Sequence, residues 1–413
     1  MSGWLLMGLP GVAYWCGISD AAWTAIGLAI GTYINWLVVA KRLRRYSAIS
    51  RDSITVPDFF SNRFHEKRKV LLSIAAVFIL VFFTVYAASC FVTCGKLFST
   101  LFGFSYHSMM IAGAVFVIIY TFIGGFLAES TSDFMQACVM ILALVVILIT
   151  GTNAAGGVSA VVENARAIPG YFSMTAIAVP TVDAAGVQQV ANGAPLFGVA
   201  GGYGLLTIIS TLSWGLGYFG MPQVLLRFMA IRRPDQLTQS RRIATIWVII
   251  SLFAAVGIGV IGRALFPAEE LLLTAGGAEN VFITLAHNLL PALLAGVVMA
   301  GILAATISSS DSYLLIAASA FAKNLYEGIW RRDASDKQIM LVSRIVLITI
   351  SLIGIIIAWD KNSVIFTIVS FAWAGFGATF GPTMLFSLFW QRINRPGAIA
   401  GMLTGGIMVF VWK

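Results

Sequence analysis

Apolar stretches of about 20 residues recur along this chain from end to end. At about 1.5 Å per helical residue, each can cross a hydrocarbon layer about 30 Å thick. They read as a half-length segment at 2–15 and fuller ones near 22–39, 70–95, 109–127, 134–151, 202–229, 244–265, 290–322, 340–359, 363–390 and 398–411. That pattern leaves few folds open. Backbone amides inside a bilayer find no water, so only helices or a closed barrel can span it. A barrel needs apolar–polar alternation over strands of about ten residues, and the sequence shows none. With 59% hydrophobic and 10% charged residues among 413, there is too little polar surface to cover a soluble protein of this length. The expected fold class is an all-α polytopic membrane protein, a single transmembrane domain over 1–413 with about 10–11 spans.

The basic residues orient it. If the loop after the second segment is cytoplasmic, alternation places 21 of the 26 Lys and Arg inside: nine in Lys41 to Lys69, five in Arg227 to Arg242, five in Lys323 to Arg344, and Arg392 with Arg395. Lys96, Arg166, Arg263 and Lys361 fall outside. This positive-inside bias accounts for the net charge of +9 without nucleic acid, for which no aromatic–basic interleaving or motif speaks. Cys16, Cys90, Cys94 and Cys138 all fall in apolar segments; Cys90 and Cys94, one helical turn apart, lack His or carboxylate neighbours for a metal, and the four read as small buried hydrophobes. The chain opens directly inside an apolar segment, with no basic n-region or cleavage site. It also stops inside one, so both ends are expected to be cut and the first core helix incomplete.

One run stands out. In AATISSSDSYLL, Ala304 to Leu315, six of the seven residues from Thr306 to Ser312 are polar, within an otherwise oily helix. Ala305, Ser308, Ser309 and Ser312 share a helical face, with Asp311 on its edge. Hydroxyl and carbonyl oxygens suit a hard, partly dehydrated cation such as Na⁺, and a carboxylate supplies charge balance. Single serines commonly serve as glue between membrane helices. Three adjacent serines beside an intramembrane carboxylate point to an ion site instead. A second carboxylate, Asp133, stands where one span gives way to the next, equally readable as a solvated cap.

Two stretches read as broken helices. STLSWGLGYFGMPQ, Ser210 to Gln223, carries three glycines and a proline, with Trp214, Tyr218 and Pro222 at four-residue spacing. SGWLLMGLPG, Ser2 to Gly11, has similar grammar. Each is unremarkable in a membrane protein. Paired in corresponding positions of two halves, they point to an inverted-repeat secondary transporter.

These motifs, with TVPDFFSNRF, YTFIGGFLAESTSDFMQ and WGLGYFGMPQVLLRFMAI, occur in an order that resembles the solute:sodium symporter family over essentially the whole chain, and within it the bacterial branch that carries proline. The resemblance implies a LeuT-type fold of two inverted five-helix repeats, at about 1–152 and 200–390, with a partial extra span at 397–413. It implies Na⁺-coupled symport of L-proline across the bacterial inner membrane, with Na⁺ as coupling ion, no cofactor and no obligatory protein partner. Carried onto this sequence, one Na⁺ would be held by the carbonyls of Met1 and Ala305 and the hydroxyls of Ser308 and Ser309, and a second by Asp133 with Asp311 and Ser312 near it. The substrate would meet Ser2, Trp4 and Gly8, then Tyr86, then Trp214, Tyr218 and Pro222. A pyrrolidine ring suits aromatic walls, and its carboxylate suits N–H groups at a half-helix start. The family has an acidic residue needed for coupling just upstream of Met1, so this chain by itself is expected not to couple. Relatives often read GQPH where Gly220 to Gln223 stand here, which leaves fine specificity open between proline and another small amino or organic acid.

Other classes fare worse. A serine hydrolase would need a histidine base near Ser308 or Ser309, but His65 and His107 sit in or near loops and His287 at an outer end. No G-x-S-x-G elbow and no P-loop is present, so an enzyme is not expected. A passive channel is the nearer rival, and a transporter-like nutrient sensor would carry a signalling domain.

Overall fold

The computed structural model describes residues 3–123 and 126–412. Among these, eight helices are long and apolar enough to cross a membrane and three shorter ones are apolar, matching the expected segments one for one. In chain order the helices are α1 (Trp4–Cys16), α2 (Ile18–Ile49), α3 (Val56–Arg63), α4 (Val70–Phe102), α5 (Tyr106–Ile123), α6 (Phe126–Ala154) and α7 (Val158–Ala167). There follow α8 (Leu205–Phe219), α9 (Pro222–Ala230), α10 (Pro234–Leu265), α11 (Val281–Leu289), α12 (Ala292–Trp330), α13 (Asp336–Ile357), α14 (Ile365–Phe389) and α15 (Arg395–Trp412). Between α7 and α8, β1 (Ala176–Ile177) pairs antiparallel with β4 (Gly201–Gly202), and β2 (Val190–Ala191) with β3 (Ala194–Pro195).

The order of elements repeats. α2 and α10 each run 32 residues, each is followed by a short connecting helix (α3 or α11), and each connector leads into a very long helix, α4 or α12. α5 with α6 then corresponds to α13 with α14. The break between α8 and α9 corresponds to α1. Two such sets, entering the membrane from opposite faces, are the inverted five-helix repeats of the LeuT-type fold.

The connector α3 decodes the TVPDFFSNRF motif. Thr55 caps the helix, accepting the Asp58 backbone N–H at 3.2 Å and donating its own hydroxyl to Asp58 Oδ2 at 2.7 Å. Pro57 sits in the first turn, where no intrahelical N–H is needed. Val56, Phe59 and Phe60 bury the inner face. At the start of α13, Ser335 and Gln338 close a capping box.

The core is built around α4, which packs on α5, α12 and α14, while α12 lies along α6. Interruptions occur where the sequence places glycine and proline. α8 tightens to a 3₁₀ turn over Ser213–Phe219, the chain straightens at Met221, and Pro222 opens α9. Gly217 is there for close approach: a Cβ would lie 2.0 Å from Trp373 Nε1. Asp133 lies within α6, so it is no helix cap. Among the cysteines, Cys90 and Cys94 are buried as expected, Cys16 is half-buried, and Cys138 is exposed on the outer surface of the bundle, against expectation.

Candidate functional site

The interruptions of α1 and α8 face each other across a small cavity. Trp4, Tyr86, Trp214, Tyr218, Tyr313 and Trp373 wall it, and its volume is about 110 Å³. Four of the sequence-expected substrate residues therefore meet: Trp4, Tyr86, Trp214 and Tyr218. The volume lies far below the ~300–1,000 Å³ of drug-sized sites, and suits a solute of few heavy atoms.

Toward the outer end of the helices, aromatic rings stack over the cavity. Trp4 lies 5.5 Å from Trp214 and 5.8 Å from Phe366, and Trp214 lies 5.2 Å from Phe366, centroid to centroid. Trp373 Nε1 donates to the Trp214 carbonyl at 2.7 Å and meets Tyr218 edge-on. Tyr86 stacks on Tyr313 at 4.2 Å. Gly8 is not in the wall. A Cβ there would lie 3.0 Å from Trp4 Cδ1 and 3.4 Å from the Phe366 backbone N, so its smallness seats the Trp4 indole. Pro222 also lies off the cavity. It lines a second one, of about 240 Å³, on the cytoplasmic side with Thr55 and Asn324. Met1 and Ser2 lie outside the described residues.

The serine run is buried inside α12, with Ala305, Ser308, Ser309, Asp311 and Ser312 all under 9% exposed. Ser308 Oγ donates to the Ala305 carbonyl at 3.1 Å, and Ser312 Oγ to the Ser308 carbonyl at 3.2 Å. These two hydroxyl protons are thus directed into the helix. Asp311 Oδ1 accepts the Ser312 backbone N–H at 2.7 Å. Asp133 forms an ion pair with Arg227 of α9, and its other oxygen, Oδ1, is buried without a partner among the described residues. The pair is partly exposed, Arg227 at 41% and Asp133 at 20%.

Sequence reasoning missed a second charged centre. Lys96, counted among outer-face residues, is 5% exposed and pairs at 2.7 Å with Glu279, which is 1% exposed. Lys96 Nζ also donates to the carbonyls of Gly276 at 2.9 Å and Ser363 at 2.8 Å. Glu279 accepts the first N–H groups of α14, those of Ile365 at 2.9 Å and Phe366 at 3.0 Å. A carboxylate at a helix start is favoured by the helix dipole. Here it anchors the residue that completes the aromatic stack. The signal was available, since a lone lysine inside a 33-residue apolar helix marks a functional position. Tyr313 and Trp373 gave no such signal, because aromatic residues are common in every span of this chain.

A small chamber between two interrupted helices, closed above by rings and below by a polar neck, defines a secondary carrier of the membrane, one whose site is reached from alternate faces. Comparison with known proteins narrows the class. A profile of the Sodium:solute symporter family matches residues 1–405, and the chain belongs to that family. The sodium/proline symporter of Salmonella typhimurium is 41% identical over 415 residues, spanning 100% of this chain and 78% of that protein. The corresponding protein of Haemophilus influenzae is 42% identical over 419 residues, with the same coverage. The high-affinity proline transporter PutP of Bacillus subtilis is 39% identical over 412 residues, spanning 100% of this chain and 81% of that protein. In fold, the chain matches a Na⁺-coupled sialic acid symporter solved in a substrate-bound outward-open state, with a TM-score of 0.72 at 17% identity, covering 100% of this chain and 87% of that one.

Proposed function

We propose that this protein carries L-proline into the bacterial cell together with Na⁺, as a multi-pass protein of the inner membrane. The observation that carries the reading is the aromatic chamber, sized for a small ring and walled by Trp4, Tyr86, Trp214 and Tyr218, in a chain about 40% identical over its whole length to sodium/proline symporters. The rings offer apolar faces to a pyrrolidine. The buried Oε1 of Gln223, which lines the chamber without a hydrogen-bond partner among the described residues, offers an acceptor to a secondary ammonium. Na⁺ is assigned to the Ala305 carbonyl with Ser308 and Ser309, and a second cation to the neighbourhood of Asp133, Asp311 and Ser312. The two repeats are assigned to about 1–152 and 200–390.

The energetics are sufficient. One Na⁺ moving down ~100 mV gains ~2.3 kcal/mol, and a tenfold gradient adds ~1.4 kcal/mol. Together they hold a neutral zwitterion at a ratio of roughly 500 to 1. The test is uptake of radiolabelled proline by proteoliposomes with and without an inward Na⁺ gradient. Saturable, Na⁺-stimulated accumulation is expected where the acidic residue that the family carries just upstream of Met1 is present. Accumulation of another small amino or organic acid with no response to proline overturns the substrate, and non-saturable flux overturns the carrier in favour of a channel.

A further inference from the structure

The aromatic chamber has a larger neighbour. Between α8 and α14 runs a second cavity of about 670 Å³, reaching from Ser210 and Ser370 to Leu385 and Phe386, against about 110 Å³ for the chamber. Trp214 and Trp373 line both, so two indoles make the wall between them. Trp214 is held in the stack by Trp4 and Phe366. Trp373 reaches in from α14 and is fixed on three sides. Its Nε1 donates to the Trp214 carbonyl at 2.7 Å, its ring lies along Trp214 at 6.3 Å, and it stands edge-on to Tyr218 at 5.0 Å. The opposing helix carries glycine where the indole lands, since a Cβ on Gly217 would lie 2.0 Å from Trp373 Nε1. An indole bonded through its N–H and seated against glycine has little freedom to turn. The residues of α14 that line the second cavity within a turn of it are all small: Ser370, Ala374 and Gly377.

We propose that Trp373 sets the size limit of the transported solute: its indole partitions the chamber from the larger cavity, which would otherwise take the side group of a bulkier cyclic or aromatic amino acid. This rests on the transport reading above and adds to it the residue that excludes larger substrates. A fixed ring cannot make room for an extra methylene without leaving its bond and its seat. Larger homologues are therefore refused by steric conflict rather than by lost attraction. The mainly apolar lining of the second cavity suits a hydrocarbon ring, whereas a charged side group would arrive there unpaired.

The test is equilibrium binding of labelled amino acids to the purified protein in the presence of Na⁺, with proline, its six-membered-ring homologue pipecolate, and phenylalanine. The parent should prefer proline over pipecolate by at least about tenfold, the low end of what one methylene is worth in a tight pocket, and should not retain phenylalanine. Trp373→Ala should bring pipecolate within about threefold of proline and gain saturable phenylalanine binding. Proline itself should weaken by about tenfold or less, the worth of one aromatic contact. Trp373→Phe keeps a ring in the partition but loses the bond to Trp214, and should still place proline first. Trp373→Leu stands in if the alanine variant does not elute as a single species from size exclusion. Weaker proline binding in every variant with an unchanged order of preference would make Trp373 a support for Trp214 and overturn the size limit. A parent that takes pipecolate or phenylalanine as well as proline would overturn it too, and so would an alanine variant that binds like the parent. Should the parent bind a different small solute in place of proline, the same comparison with larger homologues of that solute decides the partition, and the substrate assignment fails separately.

Discussion

Replacing Glu279 by glutamine changes almost no volume, yet it should be among the most damaging single substitutions in the chain. Three donors converge on the two carboxylate oxygens: Lys96 Nζ and Ile365 N on Oε2, and Phe366 N on Oε1. A glutamine has one acceptor oxygen, and either orientation of its amide sets the NH₂ against at least one donor. Lys96 would keep two carbonyl partners, Gly276 and Ser363, but its buried charge would have no counter-charge. Removing one partner of a buried pair costs about 3–5 kcal/mol, roughly 150- to 5,000-fold in the folding equilibrium.

The reverse change, Lys96→Met, should cost less. Glu279 would keep two backbone N–H donors and the start of α14, whose dipole contributes ~0.3–1 kcal/mol and up to ~2 kcal/mol when partly buried. The double variant Lys96→Met/Glu279→Gln should be more stable than Glu279→Gln alone, because no buried charge then remains. Denaturing-detergent titration of the purified protein, followed by tryptophan fluorescence, measures all three. Proline uptake should show a second effect, a raised half-saturation constant, because Phe366 leaves the stack over Trp4 and Trp214. A cost below about 1 kcal/mol for Glu279→Gln, or a greater cost for Lys96→Met, would refute this account.

Ser309→Ala should raise the Na⁺ concentration for half-maximal uptake about tenfold, the equivalent of one ~1.4 kcal/mol ligand contact; unchanged Na⁺ dependence removes Ser309 from the ion site. Trp214→Ala deletes a ring that packs on Trp4, Phe366 and Trp373; proline affinity should fall at least tenfold and Na⁺ affinity much less, and equal losses would count against a wall role. Burial raises the Asp58 carboxyl above its ordinary value, with Thr55, Lys69 and Asn324 opposing. A raised carboxyl contributes stability that is full below the ordinary ~3.9 and is lost as pH rises through the higher folded value. Asp58→Asn should therefore gain stability relative to the parent as pH rises from about 4 toward 7, and a constant difference across that range would show that the burial cost is offset by the cap.

Spans were readable because the bilayer imposes length and apolarity residue by residue, and each expected segment became a helix. The interruptions were readable because glycine and proline act locally, and the chain breaks between Ser213 and Pro222. What was not legible depends on partners far away in sequence. Asp133 finds Arg227, 94 residues on, and Lys96 finds Glu279, 183 residues on, and neither spacing carries a periodic signal. Gly8 and Pro222 were placed in the site for belonging to its motifs. In space, one seats a wall residue from behind and the other lines the cytoplasmic cavity. The helix in TVPDFFSNRF was available from Thr55, Pro57 and Asp58, whose types and spacing mark a capped start.

The two closures of the chamber rest on different physics, and that difference bears on how the carrier works. The outer one is a stack of rings whose end, Phe366, hangs from a dry ion pair with its lysine and carboxylate fully bonded. On the other side, Asp133 and Arg227 form a partly exposed pair. Breaking the first exposes buried charge at ~3–5 kcal/mol, whereas the second is worth ~0–1 kcal/mol. An interaction of that strength shifts a two-state equilibrium by a factor of about five at most. The outer anchor must instead move as a unit, with Lys96, Glu279 and the start of α14 keeping their bonds while the helix swings.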